Sequence, residues 1–357
     1  MTKSIVIYYS VAGSTRKVAQ AIHKGMSELA DQADIVAIKG AQGVPGMHMG
    51  HLLEYDLIGI GSPCWRGMMT PNVIDFIRRM PTQAIQSVYA RDHYKELKPE
   101  EKQHYFFFVT HGKGSMASMR QAYDALTSRD LTVIGWNDWY GNGKMAYAAA
   151  PWWTYGHPDE IELKEAEAFG RQMVERSRRI AKGETTLIPR MPEGREYEEL
   201  YGRTLPPSFF SDPNSPANTS RFKVKHFYGV KIIEDKCIKC GLCQEHCPMD
   251  AIDLEAENPF LPSCIWCTTC ELVCPVGAID INMTALKKDR GETPEELKAH
   301  AKEMHERFVK DQNDLKPEKR MRFHFNPEDL WTKGYVSDMP NPQVVIPEQG
   351  WEKRHQK

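Results

Sequence analysis

Eight of the nine cysteines lie between Cys237 and Cys274, and their spacing constrains this chain more than any other feature. They form two runs of one pattern: Cys237, Cys240, Cys243 and Cys247 followed by Pro248, then Cys264, Cys267, Cys270 and Cys274 followed by Pro275. Each cysteine of the second run stands 27 residues after its counterpart, and Ala251-Ile252-Asp253 returns at the same offset as Ala278-Ile279-Asp280. The segment is an internal duplication. Zinc sites also use Cys-x2-Cys pairs, but a single tetrahedral ion does not require a Cys-x2-Cys-x2-Cys-x3-Cys-Pro run. Three cysteines at successive intervals of three can wrap a cubane iron–sulfur cluster when the backbone turns tightly, with the fourth thiolate arriving from elsewhere.

On these runs, residues 228–281 resemble the two-cluster bacterial ferredoxins, in which the fourth cysteine of each run serves the other cluster. The resemblance implies a small α+β domain over residues 226–283 with crossed ligation. Cys237, Cys240, Cys243 and Cys274 would hold the first [4Fe-4S] cluster, and Cys264, Cys267, Cys270 and Cys247 the second. Ile233, Ile238, Ile252, Ile265 and Ile279 would supply the apolar packing that keeps water from the sulfides.

The N-terminal half carries a different pattern. Ser4 to Tyr9, Asp34 to Ile38, Asp56 to Ile60, Tyr105 to Val109 and Leu131 to Trp136 read as buried strands. Between them fall helical stretches, among them one with Val18, Ile22 and Met26 on one face and one opened by Pro71. A last helix from about Asp159 to Lys182 places Ile161, Ala168, Phe169, Met173 and Ile180 on one side. Strands alternating with helices predict an α/β domain whose parallel sheet is covered on both faces.

Three polar loops follow the first, third and fourth of these strands, where open α/β sheets place their ligands. They are Ser10-Val11-Ala12-Gly13-Ser14-Thr15, Gly61-Ser62-Pro63-Cys64-Trp65-Arg66-Gly67 and Thr110-His111-Gly112-Lys113-Gly114. The first suits a phosphate at a helix N-terminus, although alone it also reads as a helix cap. Together the loops resemble the flavodoxin family over roughly residues 3–182. The resemblance implies a doubly wound five-stranded parallel sheet over residues 1–182 that binds FMN. Ser10, Ala12, Gly13, Ser14 and Thr15 would hold the phosphate, and Ser62, Pro63, Cys64, Trp65, Thr110, Gly112 and Gly114 would contact the isoalloxazine. Trp65 reads as a stacking aromatic, and Cys64, which has no partner cysteine in this half, as a small packing residue.

Residues 183–225 lose periodicity and accumulate prolines, which predicts a connector packed through Phe209 and Phe210. Residues 284–357 read as a capped helix with the stripe Leu297, Ala301, Met304 and Phe308, followed by an extended arm. That stripe is expected to dock on the flavodoxin-like domain or on a second protomer, giving a homodimer. The net charge of −2 gives no field for nucleic acid. No apolar run reaches the roughly 18 residues of a membrane span, and the apolar start is shorter than a signal-peptide core, so a cytoplasmic protein is expected.

The combination of these two segments resembles the flavodoxin and ferredoxin fusion proteins of anaerobic prokaryotes. No nucleophile triad, hydrolytic metal set or Walker loop is present in sequence, so the chemistry is expected to belong to FMN and two [4Fe-4S] clusters. The expected role is an electron-transfer protein that serves a ferredoxin-type or other redox partner. The alternative is an oxidoreductase that reduces a small organic acceptor over the flavin, with Trp136, Trp139, Tyr140, Trp152, Trp153 and Tyr155 lining the pocket. Arg66, His111 and Lys113 are expected to favour reduced, anionic flavin.

Overall fold

A computed structural model of the chain describes residues 2–10, 13–65, 67–91, 96–112, 114–142, 154, 156–201, 230–261, 264, 267–280, 299, 302, 303, 306 and 310. Strands β1 (Lys3–Tyr8), β2 (Gln32–Ala37), β3 (Leu57–Trp65), β5 (His104–His111) and β6 (Thr132–Tyr140) pair in parallel in the order β2-β1-β3-β5-β6, and the two-residue β4 (Met68–Met69) adds antiparallel to β3. Without β4 this is the 2-1-3-4-5 order of flavodoxin-like sheets, whose switch point lies between β1 and β3.

Alternation along the strands explains why both faces are covered. Ile5, Ile7 and Tyr9 enter one core while Val6 and Tyr8 enter the other, and Tyr105 and Phe107 are likewise separated from Phe106 and Phe108. On one face lie α1 (Ser14–Ser27) and α5 (Glu160–Ile180); on the other lie α2 (Pro71–Arg79) and α4 (Ser118–Thr127). The helix α3 (Gln83–Arg91) follows α2.

Two local expectations change. Gly61–Gly67 is not wholly a loop, because β3 continues through Trp65 and folds back on β4. Pro63 is the last β3 residue in register with β5; having no N–H, it suits the point where that ladder ends and pairing passes to β4. On α5, Ile161 and Ala168 are exposed and the buried stripe is Ala166, Phe169, Met173, Val174 and Ile180. Glu162 takes an inward position because its carboxylate closes the capping box with Asp159 and bonds the buried His157.

Within the connector, α6 (Gly194–Tyr201) packs on the sheet domain, with Met191 and Tyr197 buried in its core. Phe209 and Phe210, the residues expected to pack, lie outside the described residues. So does the stripe Leu297, Ala301, Met304 and Phe308, whereas Ala299, Lys302, Glu303, Glu306 and Lys310 are helical and exposed. Among the described residues no helix is long and apolar enough to cross a membrane.

The cysteine-rich segment has its own small core of Val230, Ala251, Ile252 and Ile279 with Cys243, Cys247 and Cys270. Its strands β7 (Lys231–Ile232) and β8 (Ile279–Asp280) pair antiparallel, closing the two ends of the segment together. The sequence duplication is repeated in the backbone. Helical turns α7 (Leu242–Glu245) and α8 (Thr269–Val273) follow left-handed residues at Gly241 and Thr268, and Asp250 matches Gly277, each pair 27 residues apart.

Candidate functional site

The three sheet-edge loops are brought together by bonds between them. The Thr15 and Thr110 hydroxyls are 2.7 Å apart, which ties the loop after β1 to the end of β5. Cys64 Sγ lies 3.6 Å from the carbonyl oxygens of both Gly114 and Ser115, which ties the β3–β4 hairpin to the loop after β5. Asn142, just past β6, donates its N–H to Ser14 Oγ at 3.0 Å.

The first loop has the makings of a phosphate cradle. Gly13, at the N-cap of α1, has φ of 87°, a left-handed conformation that glycine adopts without the steric penalty of a side chain, and α1 has no side-chain cap. The N-terminal N–H groups of a helix have no intrahelical acceptor, and their dipole favours an anion. Ser14 and Thr15 are buried, and Ser10 Oγ accepts the Arg16 N–H at 3.2 Å, holding the loop closed over the helix start. Ala12 lies outside the described residues. The donor set fits a phosphate.

At the second loop the side chains divide their tasks. Ser62 is fully buried; its hydroxyl accepts the Thr70 N–H at 3.1 Å and donates to the Pro63 carbonyl at 2.9 Å, so it braces the hairpin. Pro63, Cys64 and Trp65 are half-buried along the outer part of β3. Burial pushes the Cys64 thiol up to about 12, so it stays protonated near neutral pH and donates to carbonyls. Thr110 is buried at the end of β5, and Gly112 and Gly114 are half-buried beyond it.

The expected cationic surround does not form from the one described member. His111 is buried and bonds Asp138 Oδ2 at 3.1 Å, and Ser115 Oγ donates to the same oxygen at 2.6 Å. Asp138, a buried carboxylate, therefore offsets any positive charge that His111 carries; Arg66 and Lys113 lie outside the described residues. Nor do the aromatics after β5 form a substrate wall where they are described. Trp136 stacks on Phe107 and donates Nε1–H to Tyr201 at 2.8 Å, while Trp139 packs edge-on against Phe108 and Phe169. Tyr140 is buried against His111 and His157, and Trp152, Trp153 and Tyr155 lie outside the described residues.

Sequence reasoning missed the buttress supplied by α6. Tyr197, only 2% exposed, accepts the Arg120 N–H at 3.0 Å and donates to the Met116 carbonyl, while the Met116 N–H donates to the Tyr201 carbonyl at 3.0 Å. The loop carrying Gly112 and Gly114 is thus held from behind by residues about 80 positions away. The two tyrosines and Met191 were the available signal, in a stretch too short and too proline-rich for its helical period to stand out.

The cysteines fall into two neighbourhoods. Cys247, Cys264, Cys267 and Cys270 line one pocket with Val230, Pro248, Met249, Ile252, Phe260, Thr268 and Thr269. Burial, then the neighbouring thiols, push Cys267 up to about 12 and Cys270 upward as well. Cys243 is raised chiefly by burial, and further by the neighbouring Cys240 and Cys274 thiols. Four sulfurs around an apolar pocket fit an iron–sulfur cluster, since thiolates there gain from a metal what burial denies them. Backbone N–H groups serve both neighbourhoods alike: Ala251 donates to Cys247 Sγ at 3.2 Å and Ala278 to Cys274 Sγ at 3.1 Å. Of the expected apolar packing residues, Ile252 and Ile279 are buried and Ile233 is partly so. Ile238 is 62% exposed, on the outward side of the loop between Cys237 and Cys240, and Ile265 lies outside the described residues.

A family model described as a 4Fe-4S binding domain matches residues 230–253. Comparison with curated proteins gives no match. Among solved structures, a flavodoxin from the domain Archaea is 16% identical at a TM-score of 0.35, covering 50% of this chain and 99% of its own. Flavodoxin 1 from Bacillus cereus is 14% identical at 0.33, covering 49% and 98%. The rubredoxin oxygen:oxidoreductase of Desulfovibrio gigas is 12% identical at 0.33, covering 50% and 37%. The fold assignment rests on the strand order, not on these likenesses. The chain is a flavodoxin-like α/β domain followed by a ferredoxin-type 4Fe-4S segment.

Proposed function

We propose that this chain passes electrons within itself between two [4Fe-4S] clusters and an FMN, serving a ferredoxin-type or other redox partner. The observation that carries the reading is the joining of three sheet-edge loops by the Thr15–Thr110 and Cys64–Gly114 contacts, in one chain with two sets of clustered cysteines. Bound in these sites, a flavin exchanges electrons singly or in pairs and each cubane exchanges one, so the protein acts as a one-electron to two-electron transformer.

The chain's own residues do the holding. Ser10, Gly13, Ser14 and Thr15 hold the phosphate at the start of α1, with Ala12 in the same loop. Pro63, Cys64 and Trp65 flank one side of the ring and Thr110, Gly112 and Gly114 the other, with Ser62 bracing the hairpin. Cys64 remains a neutral thiol there, which keeps a competing anion away from the ring. In the segment that follows, Cys264, Cys267, Cys270 and Cys247 form one ligand set, as their shared pocket supports, and Cys237, Cys240, Cys243 and Cys274 form the other. Val230, Ile252 and Phe260 exclude water from the first of these sets, and the Ala251 and Ala278 N–H groups donate to sulfur, which favours the more negative, reduced state.

The test is purification under strict anaerobiosis with cofactors counted per chain. About eight iron, about eight sulfide and about one FMN are expected. About four iron, or zinc in place of iron, would overturn the two-cluster reading, and a chain that retains no flavin would overturn the flavin site.

A further inference from the structure

Tyr9 follows β1 and belongs to both halves of the chain. Its N–H donates to the Gly61 carbonyl at 3.0 Å, one residue before the Ser62-Pro63-Cys64-Trp65 hairpin, and its successor Ser10 opens the phosphate loop. Its side chain, 3% exposed, points to the cysteine-rich segment: the hydroxyl lies 3.5 Å from the His246 carbonyl, the long limit of a hydrogen bond. The same phenol is within reach of the Thr269 side chain and within electrostatic range of Cys267, Cys247 and Cys270. A second contact lies beside it. At Gly40, whose φ is 54°, an added Cβ would sit 2.5 Å from the Glu245 carbonyl oxygen and 3.0 Å from that of Cys247. Lys39 pairs with Glu245, and Asn72 Nδ2 fixes the Gly40 carbonyl at 2.9 Å.

Resting on the reading above, we propose that Tyr9 is a positioning residue that seals the Cys247, Cys264, Cys267 and Cys270 set against the flavodoxin-like domain, which makes this set the proximal one and the Cys237 set the distal one. The distal set lies toward solvent, with Cys240 exposed and Ile238 62% exposed, so a partner protein meets it first. Added to Val230, Ile252 and Phe260, the aromatic ring of Tyr9 is the part of the side chain that seals the proximal set; its hydroxyl makes the long His246 contact and reaches Thr269. Water admitted beside a cluster stabilises the more negative reduced state, so opening the seal raises the potential of that cluster alone.

The test is an EPR-monitored redox titration of the reconstituted full-length protein. Cys240→Ser and Cys267→Ser first assign each cluster's signal. Tyr9→Ala is expected to raise the midpoint of the signal that Cys267→Ser removes and to leave the other in place, while Tyr9→Phe keeps the parent value. Gly40→Ala, which wedges the same contact without emptying the core, is expected to act in the same direction and secures the test if Tyr9→Ala does not fold. An unchanged midpoint in Gly40→Ala and in Tyr9→Ala where that variant folds, or a shift in the signal that Cys240→Ser removes, would overturn the assignment while two clusters and flavin are still bound. Loss of a second cluster from the parent protein would instead remove the underlying reading and the inference with it.

Discussion

If α6 is part of the flavin site's support, the substitution Tyr197→Phe should reveal it, because it removes one oxygen and nothing else. That oxygen accepts the N–H of Arg120, the third residue of α4, a helix whose N-cap residue, Ala117, offers no side-chain cap. It also donates to the Met116 carbonyl at the root of the loop carrying Gly112 and Gly114. Tyr197 is 2% exposed, so water cannot replace either bond without a rearrangement. A buried group left without its partner costs about 1–3 kcal/mol, and loss of a helix cap about 0.5–2 kcal/mol; the two descriptions overlap, which gives about 2 kcal/mol for the change. At roughly 2–4 °C per kcal/mol for a domain of this size, Tm should fall by roughly 4–8 °C. Tyr197→Ala adds a cavity and should cost about 3–5 kcal/mol. The assay is thermal unfolding followed by tryptophan fluorescence, together with flavin retained after gel filtration, which should drop in both variants. A Tm within about 1 °C of the parent for Tyr197→Phe, with flavin retention unchanged, would refute the claim that α6 belongs to the flavodoxin-like domain.

Other consequences are as direct. Cys247→Ser should destroy the cluster of Cys264, Cys267 and Cys270 and leave the EPR signal anchored by Cys237, Cys240 and Cys243; loss of the latter signal alone would exclude crossed ligation. Gly13→Val forces a β-branched residue into a left-handed conformation at a cost of about 1–2 kcal/mol and crowds the phosphate loop, so flavin content should fall while iron content holds. Cys64, held protonated by burial, should resist alkylation at pH 8 in the native protein and react on unfolding, as mass spectrometry of the labelled thiol would report. Burial lowers the pKa of His104, whose Nδ1 lies 2.8 Å from Ser177 Oγ. The unfolded chain then binds the extra proton below its ordinary value of 6.5, so this contribution is present above that pH and is lost as pH falls toward the folded value. The slope from this one group is at most about 1.4 kcal/mol per pH unit, and His104→Gln should flatten that part of a denaturation series measured against pH.

What could be read from sequence was whatever is encoded by local period and spacing. The strands announced themselves because both faces of a covered parallel sheet need apolar residues, so Ile5-Val6-Ile7 and Tyr105-Phe106-Phe107 are unbroken. The cysteine duplication was legible for the same reason, and the backbone repeats it at Gly241 and Thr268. Contacts between distant segments left no such mark. Tyr9 looks like the last residue of a strand, and nothing near it signals a meeting with His246, 237 positions later. On α5, the spacing placed Ile161 inward, but the partnership of Glu162 with His157 decided which side faces the core. The Gly61–Gly67 stretch reads as a loop, whereas Pro63 sits within β3 and marks the change of partner from β5 to β4.

The central claim is that flavin and clusters communicate within one chain. Flash photoreduction of the anaerobic, fully loaded protein, followed at cluster and flavin wavelengths over a wide dilution range, tests it most directly. The account expects the flavin signal to change after the cluster signal with a rate constant independent of protein concentration, and to lose that phase in Cys267→Ser. A rate that scales with protein concentration, or a flavin signal indifferent to the loss of that cluster, would contradict it.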